Sequence, residues 1–213
     1  MKSFEAIAVE LRKQMEETNA ARELALKECR EVIRASSRAI RTIHRQEFSE
    51  ARKVIDEAKS HVDKVREHLS MHPSLYYAGY VHDSQKEYVE AEAMYAIITG
   101  AAIPHPLMLG VEPAAYLNGM AEAGSECRRY VLDRLRAGEF SGADRVMAVM
   151  DDIYYEMITF DYPDAITGGL RRTTDAFRAV LERTRGDLTL TMQQKALEEQ
   201  IRRFRDEGRK ENE

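Results

Sequence analysis

The chain has 213 residues, 32% charged and 44% hydrophobic, with a net charge of −5. That length suits one ordinary domain with a proper core, and no apolar run approaches the roughly 20 residues needed to span a bilayer. The acidic balance excludes a generic basic nucleic-acid binder, so a polyanion would have to meet a local patch. The acidic, amphipathic N-terminus does not read as a signal peptide. Cys29 and Cys127 fit a reducing cytoplasm as packing residues and form no disulfide framework.

The first seventy residues hold no proline and no glycine. Phe4, Ile7, Leu11 and Met15 open a helical stripe, and the periodicity predicts one helix from about Ser3 to His44. A second begins near Gln46 and runs through Phe48, Val54, Ile55, Val62, Val65 and Leu69. Pro73 suits the first turn of a third, which ends near Thr99-Gly100. The stretch 100–113 is a loop holding three of the five prolines, and Pro113 starts a fourth helix closed by Ala137-Gly138. A fifth is expected from Ser141 through Met157, a sixth from Tyr162-Pro163-Asp164 to Arg185-Gly186, and a polar seventh from Thr189 to Arg209. No strand alternation survives. The expectation is an all-α, single-domain seven-helix bundle over residues 1–213, its long helices antiparallel, with a polar C-terminal helix and tail at 190–213.

Two acidic pairs stand out: Glu87 and Glu90 on the third helix, Glu122 and Glu126 on the fourth. Spacings of three and four put each pair on one helix face, where like charges repel. A solvated face is the ordinary reading of such pairs. Here both helices are otherwise apolar, with Tyr88, Val89, Ala91 and Met94 on one and Gly119, Met120, Ala123 and Gly124 on the other. Buried carboxylates are costly unless paired or metal-bound, and the small residues allow the helices to approach closely. Mg²⁺ takes carboxylate oxygens together with waters and substrate phosphates, and Mn²⁺ is an acceptable substitute. The pattern points towards phosphodiester chemistry.

Arg30, Arg34, Arg38, Arg41 and Arg45 recur along one face of the first helix, and Arg128 and Arg129 follow Glu126. These could pair with neighbouring acids such as Glu31 and Glu47, or bind a nucleic-acid backbone bidentately. Histidine acid–base catalysis is not suggested: His44, His61, His68 and His72 are scattered, and only His82 is near the acids in sequence. No phosphate loop, Cys-x-x-Cys or nucleophile elbow is present.

Gln85-Lys-Glu-Tyr-Val-Glu-Ala resembles a segment of Trax, the catalytic partner of translin. Leu109-Gly-Val-Glu-Pro and Tyr116-Leu-Asn-Gly-Met are similar to translin segments, as are Ser125-Glu-Cys-Arg-Arg, Ala137-Gly-Glu-Phe and the Asp151-Asp-Ile-Tyr region. Their order is that of the translin/Trax family from the first helix to about Gly186, and the combination resembles the archaeal members. The resemblance implies a seven-helix translin fold assembled into a hollow shell, usually octameric. It also implies Mg²⁺-dependent RNA cleavage at Glu87, Glu90 and Glu122, the last standing where Trax has aspartate, with Glu126 as a fourth acid. The expected activity is endoribonucleolytic cleavage of single-stranded RNA inside a cytoplasmic homo-octamer. Glu87, Glu90, Glu122 and Glu126 would form the catalytic and metal set, with the arginines drawing in the strand. The alternative is a non-catalytic assembly that binds single-stranded DNA or RNA, as translin-type subunits do.

Overall fold

The computed structural model describes the backbone of residues 3–210; residues 1–2 and the tail expected beyond 210 lie outside the described residues. Among these, the helices are α1 (Phe4–His44), α2 (Phe48–His68), α3 (Pro73–Tyr76), α4 (Gly79–Thr99), α5 (Pro106–Leu109), α6 (Pro113–Arg136), α7 (Phe140–Met157), α8 (Asp164–Thr167) and α9 (Leu170–Lys210). Six are long and three are single turns.

Local chemistry sets most boundaries. The Ser3 hydroxyl accepts from the Ala6 amide and caps α1. Gln46, at φ 61°, reverses the chain into α2, so α1 and α2 form an antiparallel hairpin. Pro113 opens α6 at a position where its missing N–H costs nothing. The last carbonyls of α4 are closed by Arg145, which donates to Ile97 O at 2.8 Å and Ile98 O at 2.7 Å.

Two expected boundaries shift. The helix predicted from Pro73 breaks at extended Ala78, because Tyr76 turns back into a small cluster with Leu69 and Val81; Gln85 Nε2 donates to its hydroxyl at 3.2 Å. The expected sixth and seventh helices are one: Gly168 and Gly169, both left-handed, interrupt the chain after Thr167, and α9 then runs unbroken through Gly186. A single helical glycine costs only about 1 kcal/mol relative to alanine. Packing outweighs that cost, since Leu181, Thr184 and Leu188 are buried on both sides of Gly186. Arg128 of α6 straddles it, donating to Thr184 Oγ1 at 3.1 Å and Asp187 Oδ2 at 2.8 Å.

The layers follow from these faces. α1 packs on α2 and α4, α4 on α6, and α6 on α7 and α9. One core, including Val32, Ile43, Ile55, Tyr88, Met94, Met150, Phe177 and Leu181, runs through them. Two glycines let α6 approach its neighbours closely, Gly119 against α4 and Gly124 against α9. A Cβ on Gly119 would lie 2.6 Å from Lys86 O and 2.7 Å from Val89 Cβ, and one on Gly124 would lie 2.5 Å from the Phe177 ring. The close approach of the two acid-bearing helices expected from the small residues of α6 is therefore present at Gly119.

Both 41-residue helices extend beyond this core. No residue of α1 before Ala25 is buried, nor any described residue of α9 after Leu188. Phe4, Ile7, Leu11 and Met15 lie exposed on one arm, and Leu190, Leu197, Ile201 and Phe204 on the other.

Candidate functional site

Glu87 and Glu90 stand one turn apart on α4, facing Glu122 on α6. One carboxylate oxygen from each lies within 4.8 Å of the other two. All three residues are partly buried. Among the described residues, no hydrogen-bond donor reaches Glu87 or Glu90, while Lys86 Nζ sits 2.8 Å from Glu122 Oε1. Burial, then the Glu122 charge, raises the Glu87 carboxyl above its ordinary value. Burial, then the charges of Glu87, Glu122 and Glu126, pushes Glu90 up to about 8. The lysine is too little positive charge for four acids.

The donor set fits a hard divalent cation. Oxygens on opposite sides of Mg²⁺ are roughly 4.2 Å apart, twice a bond of about 2.1 Å, so a cluster within 4.8 Å needs only small side-chain closure. The charge imbalance at Glu90 is what a cation would remove. No thiol or imidazole belongs to the trio, and an all-oxygen set suits Mg²⁺ or Mn²⁺.

The fourth acid, Glu126, is not part of that trio. It lies one turn beyond Glu122, and its Oε1 is 2.5 Å from His44 Nε2. This departs from the sequence reading in which only His82 stood near the acids. His82 instead packs against Gly168, whereas the end of α1 delivers His44 from 82 residues away. Lys86 and His44 are the site neighbours that sequence reasoning passed over. Lys86 adjoins Glu87 in the chain, and His44 extends the Arg41 face by one turn. Neither signal says which element the side chain meets.

The arginine stripe divides. Arg34 pairs with Glu31 at 2.6 Å, Arg38 with Glu57 of α2, and Arg45 with Glu47 at 2.9 Å. Arg128 is held by α9. Arg30, Arg41 and Arg129 are exposed, without a carboxylate partner among the described residues. At 100° per residue, Arg30 and Arg41 lie nearer the His44 side of α1 than Arg38 or Arg45 does.

No protein-family model matches the sequence. The uncharacterised protein MJ0175 of Methanocaldococcus jannaschii is 30% identical over 190 residues, which is 87% of this chain and 82% of that protein. AfC3PO is 36% identical, and 87% of this chain superposes on 96% of it, with a TM-score of 0.82 for AfC3PO itself and 0.81 for its complex with duplex RNA. Apo-NeC3PO, 20% identical, has the same fold, with a TM-score of 0.73 over 90% of this chain and 98% of that one. The chain belongs to the translin/Trax family. Within it, this is an archaeal-type translin homologue. Among the described residues no helix is long and apolar enough to cross a membrane.

Proposed function

We propose that this protein is a Mg²⁺-dependent endoribonuclease that cuts unpaired RNA within a hollow cytoplasmic homo-oligomer, an octamer as the family resemblance implies. The observation that carries the reading is the Glu87–Glu90–Glu122 cluster, three carboxylates converging from two helices with one lysine beside them. Those three residues would hold the cation, which supplies Lewis acidity for water and charge stabilisation at phosphorus when bound. Arg30, Arg41 and Arg129, unpaired by acids, would grip the phosphate backbone and orient the strand. Hydrolysis would leave 5′-phosphate and 3′-hydroxyl ends.

AfC3PO binds duplex RNA, which supports RNA as the ligand class and makes duplex a necessary comparison substrate. The apolar residues exposed on the arms of α1 and α9 support self-association, and the free, buried cysteines suit a reducing compartment. A second reading, a non-catalytic assembly binding single-stranded DNA or RNA, draws on Lys86, a built-in cation that already satisfies Glu122.

Incubation of the purified protein with end-labelled single-stranded and duplex RNA, with Mg²⁺, Mn²⁺ or chelator, separates the readings. Metal-dependent cutting of unpaired RNA, abolished by Glu90→Ala with binding retained, supports the enzyme. Metal-independent binding without cutting supports the second reading.

A further inference from the structure

The side chain of His44 is buried but has only half the bonding that a buried ring would be expected to make. It is 3% exposed. Among the described residues the ring makes one hydrogen bond, Nε2 to Glu126 Oε1 at 2.5 Å, and its buried Nδ1 has no partner. A carboxylate oxygen only accepts, so Nε2 carries the hydrogen and donates. A histidine kept for packing would be expected to satisfy both nitrogens. An orphaned buried polar atom is destabilising and calls for an explanation. The ring is held at a single point, and that point is a carboxylate beside the acidic trio.

Glu126 is held in turn. It sits one helical turn from Glu122, close enough for its charge to raise Glu90, yet it stands outside the set of oxygens that could share one ion. Its side chain is 38% exposed, so its second oxygen is not sealed in the core. The bond from α1 fixes a carboxylate carried by α6 that would otherwise be free to rotate towards the trio.

We propose that His44 is a positioning residue for RNA cleavage: it holds Glu126 outside the three-carboxylate ligand set, where Glu126 serves as the base for the attacking water. The proposal rests on the cleavage reading above. In the step, water gives a proton to the Glu126 carboxylate as its oxygen bonds to phosphorus. The bond from phosphorus to the 3′-oxygen breaks, and that oxygen takes a proton from solvent. Arg41, one turn before His44, has no carboxylate partner among the described residues and lies towards the same side of α1.

The test compares His44→Ala, His44→Gln, Glu126→Gln and the double variant His44→Ala/Glu126→Gln. It reads kcat and KM on labelled RNA, calorimetric Mn²⁺ binding without RNA, and thermal melting as a check on folding. In His44→Ala, kcat should fall about 10- to 100-fold, the range for losing a hydrogen bond that orients a site group, with KM unchanged and Mn²⁺ affinity undiminished, or raised as the freed Glu126 swings towards the trio. His44→Gln should recover part of kcat, because its amide can donate to Glu126. Adding His44→Ala to Glu126→Gln should cost nothing further, as expected for two residues acting as one unit. Full kcat in His44→Ala, or multiplicative losses in the double variant, would overturn the proposal. So would a loss of Mn²⁺ affinity in Glu126→Gln, which would make Glu126 a ligand. A wild-type protein that cuts no RNA under any metal would overturn the cleavage reading and this proposal together; each other outcome bears on the His44–Glu126 pair and leaves the cleavage reading standing.

Discussion

Lys86 Nζ lies 2.8 Å from Glu122 Oε1, so the residue next to the first site glutamate neutralises the third from across a helix interface. A half-buried lysine pairs this way because desolvation opposes its charge and Glu122 restores it, the balance favouring the charged form. Lys86 is the cation the cluster carries in itself, and it competes with any metal for the same carboxylate.

Lys86→Met should therefore separate metal affinity from stability. Without the ammonium, the trio is more negative and should bind Mn²⁺ several-fold more tightly by calorimetry. The metal-free protein should melt at a lower temperature, because Glu122 loses its partner while Glu87 and Glu90 still repel it. Unchanged Mn²⁺ affinity would mean that the lysine and the metal do not share Glu122.

The metal-free protein should lose stability as pH rises. Unfolded, Glu90 titrates near 4.5; folded, it holds its proton up to about 8. Between these values the folded state binds more protons than the unfolded one, so stability falls with increasing pH across that window. The penalty is absent below about 4.5 and complete above about 8. Melting temperatures from pH 5 to 9 should decline in chelator, and millimolar Mg²⁺ should flatten the decline. Glu90→Gln should flatten it without metal, at the expense of cleavage.

Much of this was legible in the chain. The apolar periodicity marked α1 and α2, Pro113 opened α6, and the glutamates fall on the helices expected of them, Glu87 and Glu90 on α4 and Glu122 and Glu126 on α6. Long-range choices were not. Spacing shows that Arg38 faces outward but not that Glu57 of α2 waits there. It places His44 on a face but not against Glu126, 82 residues on. Gly186 reads as a helix end until the burial of Leu181 and Leu188 on either side of it is known. Local rules name the face; the neighbour that covers it is decided by tertiary packing.

Arg52 and Glu92 bind each other through two parallel contacts of 2.8 Å between α2 and α4, and Tyr88 donates to the same carboxylate at 2.9 Å. Glu92 is buried, so removing the arginine strands its charge. Arg52→Ala should destabilise by about 1.5–3 kcal/mol, the range for lost hydrogen bonds to a charged group, because the guanidinium is itself 35% exposed and water reaches that side of the pair. Arg52→Ala with Glu92→Gln should recover a good part of it. Chemical denaturation measures both, and a loss under 1 kcal/mol for the single variant would show that Glu92 finds water instead.

The split of the arginine stripe predicts unequal effects on RNA binding. Arg41→Gln and Arg129→Gln should each weaken binding to single strands and reduce the slope of log affinity against log salt by about 0.7, the value for one phosphate contact. Arg38→Gln should do less, because that guanidinium is already engaged by Glu57. Fluorescence anisotropy over a range of salt gives the slopes. Equal slopes for Arg38→Gln and Arg41→Gln would show that the ion pair opens when RNA binds.

Gly119 is the position where the scaffold and the site meet. Its missing Cβ lets α6 lie against Lys86 O and Val89 of α4, at distances of 2.6 and 2.7 Å from where a Cβ would stand. The obstacle includes backbone, which cannot rotate away, so even Gly119→Ala should push the helices apart near Lys86, Glu87 and Glu122. A gain in helix propensity of about 1 kcal/mol works against the cost of the clash, so stability should fall only moderately. The carboxylate cluster tolerates less, since positioning errors near 1 Å can cost about 100-fold in rate. Gly119→Ala should thus lose far more Mn²⁺ affinity and cleavage than stability. A variant that melts normally and still binds Mn²⁺ at wild-type affinity would show that the trio does not depend on the α4–α6 distance.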